Sequence, residues 1–130
     1  MFEAHAQRFT VNVPPNLETF LGLQPDTVPC ENMTLAVHSG ERLVAASFLD
    51  LGKVAVSSLY GIFDPAESGR SLGIFTMLKE IEYAAEHGYR TYYHGYACEE
   101  PSPYDYKKRF AALEFYDWKG NWRPLIKAQP

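Results

Sequence analysis

The segment from Val54 to His87 constrains the fold of this chain more than any other part of the sequence. Val54 to Phe63 carries apolar residues on both alternating faces, which predicts a central strand covered on both sides. Ser71 to His87 has apolar residues at helical spacing and ends before Gly88, a common helix stop. Tyr89 to Tyr96 then predicts another strand. Strand, helix and strand in this order form a βαβ crossover, so we expect the two strands to run parallel.

The two sides of the predicted helix differ in polarity. The residues expected to pack on the sheet are apolar and recur at helical spacing: Ile74, Leu78, Ile81 and Ala85. The residues expected to face solvent are charged: Lys79, Glu80, Glu82 and Glu86. The apolar stripe therefore predicts which side of the helix meets the sheet.

The loop from Asp64 to Gly73 is the first candidate site. It joins a strand end to a helix start, where unpaired N–H groups and the positive end of the helix dipole hold phosphate or carboxylate groups. Arg70 can bind such a phosphate, or it can pair with Glu67 or Glu80. Asp64 can bind or deprotonate an attacking ammonium, or it can be an ordinary turn residue.

The other predicted elements complete a mixed sheet. In chain order they are two short helices, two strands, a short helix and a hairpin: Phe2 to Phe9, Leu17 to Leu23, Met33 to His38, Arg42 to Leu51, Tyr104 to Phe110, and Ala112 to Trp118 with Trp122 to Ile126. The expected fold class is α/β with a mixed sheet of the α+β kind. It consists of an antiparallel meander, a βαβ crossover and a C-terminal hairpin. At 130 residues the chain fits a single domain, 1–130.

Composition limits the classes of partner. The net charge of −4 argues against broad adhesion to nucleic acid, and the one basic cluster, Lys107 to Arg109, can touch an RNA end or simply face solvent. Cys30 and Cys98 lack the spacing of a zinc site, so no metal is expected. No stretch is long and apolar enough to span a membrane, and no signal peptide is visible. We therefore expect a cytoplasmic protein without membrane contact.

Four motifs, in a fixed order, give the sequence a family resemblance. They are Ser57-Ser-Leu-Tyr60-Gly-Ile-Phe-Asp64-Pro65, Arg70-Ser-Leu-Gly73-Ile-Phe75, Tyr93-His-Gly95-Tyr96 and Tyr106-Lys107-Lys-Arg-Phe110-Ala-Ala-Leu-Glu114. In these residues the chain resembles the catalytic, C-terminal domain of arginyl-tRNA–protein transferases and of bacterial aspartate/glutamate leucyltransferases, a branch of the GNAT-fold acyltransferases.

The resemblance implies a fold, an activity and partners. The fold is the GNAT-like acyl-CoA N-acyltransferase fold. The activity is transfer of an amino acid from aminoacyl-tRNA to the α-amino group of a protein N-terminus. The partners are the tRNA acceptor end and a protein or peptide N-terminus, with no cofactor. Such a site requires alignment and oxyanion stabilisation rather than a strong nucleophile, because the ester is already reactive.

The candidate site residues fall into three groups. The catalytic group is Asp64, Tyr96 and Tyr106, with the tyrosines as phenols that protonate a leaving oxygen or orient a carbonyl. The donor-binding group is Arg70, Ser71, Leu72, Gly73, Gly95 and Lys107, and the acceptor-binding group is Tyr60 and Glu114. We expect the site between the loop and the strand end at Gly95, with Tyr106 reaching toward it. Packing is the other interpretation of either tyrosine, Ser71 can be only a helix cap, and Glu114 can bind Lys107.

Two other functions stay open. Arg70-Ser-Leu-Gly73 approximates the loop with which GNAT enzymes hold the pyrophosphate of acyl-CoA, so an acetyl-CoA-dependent N-acetyltransferase is the alternative. Phe75 opposes it, because that loop usually has a small residue at this position. The third is a non-catalytic relative that binds peptide termini or forms a homodimer through aromatic surfaces. It is favoured by the acidic charge balance and by Pro103-Tyr104, where the family has a Lys-Met pair.

Overall fold

The computed structural model describes residues 1–10, 13, 15–24 and 29–125 and divides the chain into two compact units. Within these residues the first unit, Met1–Gly95, holds a four-stranded sheet and three α-helices, and the second, from Tyr96 onward, holds a two-stranded sheet. None of the helices in the described ranges has the length and apolar character needed to cross a bilayer. The single domain, 1–130, stays a prediction.

The four-stranded sheet has the predicted mixed topology. Its strands are β1 (Glu31–Ser39), β2 (Arg42–Leu51), β3 (Ala55–Phe63) and β4 (Thr91–Tyr93), in the order β1-β2-β3-β4. The first three strands pair antiparallel, and β4 pairs parallel to β3. Helix α3 (Leu72–Glu86) connects β3 to β4. The predicted meander and the predicted βαβ crossover are both confirmed.

Two short helices precede the sheet, α1 (Phe2–Ala6) and α2 (Glu18–Leu21). Both are shorter than the predicted segments. The Asn16 side chain accepts a hydrogen bond from the Thr19 N–H at 3.0 Å and so caps the first turn of α2.

A β-bulge in β3 decides which helix each residue of that strand meets. Leu59 is the extra residue, opposite the step from Phe48 to Leu49. As a result Val56 packs against α3, whereas the ring of Tyr60 contacts rings of α1 and α2. β3 is covered on both sides as predicted, although simple alternation puts Val56 and Tyr60 on one face.

The predicted rotation of α3 is wrong. The residues that face the sheet are Leu72, Thr76, Met77, Glu80 and Ala84. Leu78, expected at the sheet, is 51% exposed, and Glu80, expected in solvent, is 1% exposed. The helix carries apolar residues on two sides, and its rotation is set at its first residue, Leu72, which packs in the core with Val44 and Ala45.

The second unit contains a 3₁₀ helix, Asp105–Arg109, and the hairpin strands β5 (Glu114–Tyr116) and β6 (Trp122–Pro124). The predicted hairpin is confirmed with shorter strands, and its predicted last residue, Ile126, lies outside the described residues. The Asp117 carboxylate holds the hairpin turn by accepting hydrogen bonds from the backbone N–H groups of Lys119 and Asn121 at 2.8 and 3.1 Å. These bonds lower the pKa of Asp117.

Candidate functional site

The candidate loop begins where β3 ends. Asp64 directly follows β3, and its carboxylate accepts a hydrogen bond from the Ala66 N–H at 2.9 Å. This contact caps a short 3₁₀ helix, Pro65–Arg70, which has proline in its first turn. Asp64 therefore acts as a turn residue, one of its two sequence interpretations. Its use as a base stays a prediction.

An ion-pair network holds this loop to the turn between β1 and β2. Arg42, the first residue of β2, donates to Asp64 at 2.8 Å and to Glu67. Arg70 donates to Glu67 at 3.2 Å and to the Ser39 hydroxyl at 3.3 Å. The network joins two guanidinium groups to two carboxylates, and more than half of each arginine side chain is exposed. A phosphate that approaches Arg70 competes with the Glu67 carboxylate.

Arg42 of β2 binds this loop, and the sequence does not identify it. Its two carboxylate partners lie 22 and 25 residues further along the chain. The pairing of β2 with β3 brings them together, because Ala45 lies opposite Phe63 and so places the start of β2 beside the end of β3. The signal is therefore available only when the strand register is known.

The backbone at the start of α3 is strained. Ser71 adopts a left-handed conformation, φ 53° and ψ 41°, which costs a residue with a side chain on the order of 1 kcal/mol. The Ser71 carbonyl accepts hydrogen bonds from the N–H groups of Ile74 and Phe75, each at 3.0 Å, while its side chain makes no capping bond. Helix geometry leaves the preceding N–H groups, those of Leu72 and Gly73, without helical partners.

Leu72 and Gly73 have different roles in this segment. Leu72 is 4% exposed and anchors the helix start in the core. A Cβ added to Gly73 would lie 4.0 Å from its nearest neighbour outside the helix backbone, a ring carbon of Phe63, which is an ordinary contact. Packing therefore does not require glycine at this position. A missing side chain instead leaves the backbone open to close approach by a ligand.

The parallel pairing of β3 with β4 is short. β4 pairs with β3 over three residues only, from Ala55 opposite Thr91 to Ser57 opposite Tyr93. β3 continues for six more residues to Phe63, so the edge beyond Ser57 is not paired with β4. The pairing of β4 with β3 therefore stops well before β3 ends.

The predicted strand Tyr89–Tyr96 is too long at both ends, since β4 covers only Thr91–Tyr93. Gly95 has φ 87°, a left-handed value that glycine adopts without strain and that strands exclude. Gly95 lies two residues past the last β4 pair, and its role in donor binding stays a prediction.

His5 from α1 contacts the backbone at the end of β3. The Phe63 N–H donates to His5 Nδ1 at 3.2 Å, and the next N–H, of Asp64, donates to the Val44 carbonyl of β2 at 2.9 Å. Successive N–H groups of a strand point to opposite sides, so the Phe63 N–H lies on the edge that faces away from β2. Burial, and next the charge of Arg8, lower the pKa of His5 and keep its ring neutral, as an acceptor must be. The sequence gives no sign of this role.

A buried hydrogen bond joins α3 to β4. The Glu80 carboxylate, 1% exposed, accepts a hydrogen bond from the Tyr92 hydroxyl. A carboxylate at this depth is costly unless it is hydrogen-bonded. The pair attaches β4 to the helix one residue before the strand ends.

In the second unit, Tyr96 and Lys107 come together. The Lys107 ammonium donates to the Tyr96 carbonyl at 3.3 Å and lies 5.4 Å from the ring centre of Tyr104. The Tyr96 side chain is 82% exposed and its ring stacks near Trp118, with centroids 6.4 Å apart. Exposed aromatic rings beside a lysine are suited to stacking on bases of a single-stranded nucleic acid.

The neighbouring basic residue is engaged within the same unit. The Lys108 ammonium binds Asp105 at 2.8 Å and the Glu99 carbonyl at 3.4 Å. The hydrogen bond from Lys108 lowers the pKa of Asp105. Tyr106 lies half-buried in the 3₁₀ helix, and Glu114 opens β5 with an exposed side chain.

Tyr60, the predicted acceptor residue of the first unit, is covered by aromatic rings. Its ring stacks on Phe20 of α2 with centroids 4.1 Å apart and meets the edges of Phe2 and His5. The roles of Tyr60 and Glu114 in acceptor binding stay predictions. The prediction that Asp64 and Tyr106 share one concave site also stays a prediction.

Two further observations concern ligands. Among the residues with described positions, no three His, Cys, Asp or Glu side chains are placed to hold a metal ion. An open groove of about 350 Å³ lies between β1 and α3, and none of the candidate site residues lines it. Phe75 lines it together with Leu35 and Val37. The ring expected to crowd a diphosphate thus lies beside β1.

Comparison with known proteins gives consistent matches. The family model described as arginine-tRNA-protein transferase, C terminus, matches residues 2–117. An aspartate/glutamate leucyltransferase of Xanthomonas campestris pv. campestris is 38% identical over 92 residues, which are 71% of this chain and 36% of that protein. One of Acinetobacter baylyi is 33% identical over 115 residues, 88% of this chain and 42% of that protein. The chain therefore spans about two fifths of the length of these relatives. No solved structure gives a significant match.

Proposed function

Because the chain belongs to the family of the arginine-tRNA-protein transferase C terminus, we propose that it is an aminoacyltransferase domain. The reaction is attack of the α-amino nitrogen of a protein N-terminus on the ester carbonyl of an aminoacyl-tRNA. A peptide bond forms, the carbon–oxygen bond to the ribose breaks, and the ribose oxygen takes up the proton that the amine releases. Alignment and oxyanion stabilisation supply most of the catalysis. An aminoacyl-tRNA donor locates the reaction in the cytoplasm, where translation takes place.

The observation that carries this proposal is the early end of the pairing between β3 and β4, together with the helix start that follows β3 and its loop. Because β4 pairs with β3 only as far as Ser57, an extended ligand can take the place along β3 that β4 does not occupy. The N–H groups of Leu72 and Gly73 at the helix start favour a phosphate or a developing oxyanion. No nucleophilic side chain is needed, because the ester arrives activated.

The proposed donor contacts are Arg70 in the first unit and, separately, Lys107 and Tyr96 in the second. Arg70 releases Glu67 and binds a donor phosphate instead. A guanidinium binds phosphate oxygens at least as well as it binds carboxylate oxygens. Lys107 and the exposed ring of Tyr96 bind the RNA end by charge and stacking. The phenol of Tyr96 or Tyr106 protonates the leaving ribose oxygen.

Asp64 and Arg42 position the loop in this proposal. The Asp64 carboxylate is already bound by Arg42 and by the Ala66 N–H. Both donors already occupy the carboxylate, so these contacts favour a positioning role over proton abstraction.

A transfer assay tests the proposal. The 130-residue chain is incubated with leucyl-tRNA or arginyl-tRNA labelled in the amino acid and with a peptide that begins with Asp or Glu. We expect label in the peptide with a free N-terminus and none in its N-acetylated form. Arg70→Ala should weaken donor binding by about tenfold or more, because a charge-assisted contact is lost. Arg90→Ala removes the same charge from an exposed position outside the loop and should have little effect.

The position of Phe75 allows a second candidate function, N-acetyl transfer from acetyl-CoA. Since Phe75 lines the groove beside β1, its ring does not by itself exclude a diphosphate at the loop. Thermal stabilisation by acetyl-CoA without any response to aminoacyl-tRNA would replace the proposal by N-acetyl transfer. A response to neither donor would leave the non-catalytic interpretation.

A further inference from the structure

β1 is a long open edge of the four-stranded sheet. It runs for nine residues, Glu31–Ser39, at the end of the strand order, and within the part of the chain that the structure describes only β2 pairs with it. Edge strands are usually shielded by lysine, proline or short length. β1 contains neither residue, and its only Asp, Glu, Lys or Arg is Glu31, at its start.

An apolar groove accompanies this edge. The groove between β1 and α3 is lined by Leu35 and Val37 from the strand and by Phe75 and Tyr83 from the helix. Phe75 is 41% exposed. A strand added at the edge of β1 would continue the sheet by main-chain hydrogen bonds and cover part of this apolar surface.

The alternation of half-buried and exposed residues in β1 is symmetric about Leu35 from Met33 to Val37. Met33 and Val37 lie two positions to either side of it on the same face, and Thr34 and Ala36 lie beside it on the other face. If two copies pair antiparallel with Leu35 opposite Leu35, Met33 meets Val37 and Thr34 meets Ala36. Glu31 then meets Ser39, so no two like charges face each other.

The charges beside the groove also favour a second copy over an acidic peptide. α3 contributes both signs there, Lys79 together with Glu82 and Glu86. The acidic excess, with Glu31 in addition, repels an acidic segment. A copy related by a two-fold axis sets the two α3 helices on one face of the joined sheet in opposite directions. Lys79, which pairs with Glu82 of its own helix, can then also approach Glu86 of the other copy.

We propose that two copies of this chain form a two-fold symmetric dimer by antiparallel pairing of β1, which joins their four-stranded sheets into one continuous sheet. The pairing is isologous, as closed dimers require. It is independent of the proposed transfer reaction, and the assay of the dimer uses no donor or acceptor substrate.

Paired charge variants test this dimer by sedimentation over a range of concentrations. Thr34→Glu with Ala36→Glu puts like charges opposite each other twice in the dimer, and so does Thr34→Lys with Ala36→Lys. Each variant alone should raise the dissociation constant about tenfold. An equimolar mixture of the two should dimerise again, since the opposed charges then attract. Gln7→Glu with Thr10→Glu adds the same charge at exposed positions away from β1 and should dimerise like the wild type.

Three outcomes would overturn the proposal. One is a wild type that stays monomeric up to about 1 mM. Another is an undiminished dimer in the folded glutamate variant, which would assign the interface to another surface. The third is a monomeric wild type whose β1 amide signals shift when an extended peptide is added, which would assign the edge to a peptide. Circular dichroism of each variant separates loss of pairing from loss of folding.

Discussion

The hydrogen bond that attaches the N-terminal helix to β3 depends on the protonation state of the His5 ring. Its Nδ1 accepts from the Phe63 N–H, and the groups that face it are the Arg8 cation and the rings of Phe9, Tyr60 and Phe63. The pKa of His5 is lower in the folded chain than in the unfolded chain, so the unfolded chain takes up a proton first as the pH falls. The stability that His5 contributes is full above the unfolded pKa of about 6.5 and is lost as the pH falls from there through the folded pKa.

We predict that His5→Asn removes this pH dependence. An asparagine oxygen can accept the same hydrogen bond and does not titrate near neutrality. The urea midpoint of the wild type should therefore fall more than that of His5→Asn between about pH 7.5 and about pH 5.5. His87→Asn, at an exposed histidine, should fall as the wild type does. An equal fall in His5→Asn would show that His5 is not the titrating group.

The hydrogen bond from the Tyr92 hydroxyl to Glu80 leads to a second prediction. Tyr92→Phe removes the donor that faces the buried Glu80 carboxylate and should lower the free energy of unfolding by about 1–3 kcal/mol. Tyr96→Phe, at an exposed ring, should change it by less than about 0.5 kcal/mol. Urea unfolding of the three proteins measures both values. Equal stabilities would mean that this bond adds nothing beyond what water supplies.

Single residues show what the sequence can and cannot predict about the site. It identified Asp64 and Arg70 as loop residues and described the turn role and the Glu67 pairing as alternatives, both of which the structure contains. It did not find Arg42, because ion pairs across more than twenty residues depend on strand register. It placed Glu80 in solvent, because charge alone does not show that the half-buried Tyr92 donates a hydrogen bond to it.

At the scale of elements, α3 offers a direct test of helix rotation. Met77 is 6% exposed in the sheet-facing side, whereas Leu78, which the sequence pattern places there, is 51% exposed. Met77→Ala should cost about 2–5 kcal/mol and Leu78→Ala less than about 1 kcal/mol. Thermal or urea unfolding gives the ranking. The reverse ranking would support the rotation expected from the sequence.

Ser71 connects the loop to α3 through a strained, left-handed backbone. Substitutions of Ser71 test this strain. Ser71→Gly relieves the side-chain clash and should leave the stability equal or slightly higher, because the greater entropy of unfolded glycine offsets part of the gain. Ser71→Val should cost about 1–2 kcal/mol, since a β-branched residue tolerates this conformation poorly. Unfolding midpoints of the two variants decide the point. A valine variant as stable as the glycine variant would contradict the left-handed assignment.

The sequence predicted the elements better than their ends. Periodicity gave the meander, the crossover and the hairpin, because each repeats a local pattern of about two or about 3.6 residues. The end of β4 and the bulge at Leu59 depend instead on where neighbouring strands stop pairing. The rotation of α3 was predicted wrongly for a different reason. The helix has two apolar sides, and only packing at Leu72 chooses between them.

For the whole molecule, net charge limits how RNA can be held. At −4 the chain has no excess of cations to neutralise a long phosphate backbone, so the proposed function requires that a few local contacts hold the aminoacyl-tRNA. The candidates are Arg70 in the first unit and Lys107, Lys108 and Arg109 in the second. Each contact with a single-stranded end contributes about 0.7 to the slope of log affinity against log salt.

We therefore predict a shallow salt dependence. Four contacts set the slope for aminoacyl-tRNA binding at no steeper than about −3, and Lys107→Ala should reduce its magnitude by about 0.7. Lys119→Ala removes the same charge from the turn of the terminal hairpin and should leave the slope unchanged. Titrations at a series of potassium chloride concentrations measure the three slopes. A slope near zero would mean that phosphate contacts do not hold the donor. A much steeper one would require cations beyond these four, and with them a larger RNA footprint than the acceptor end.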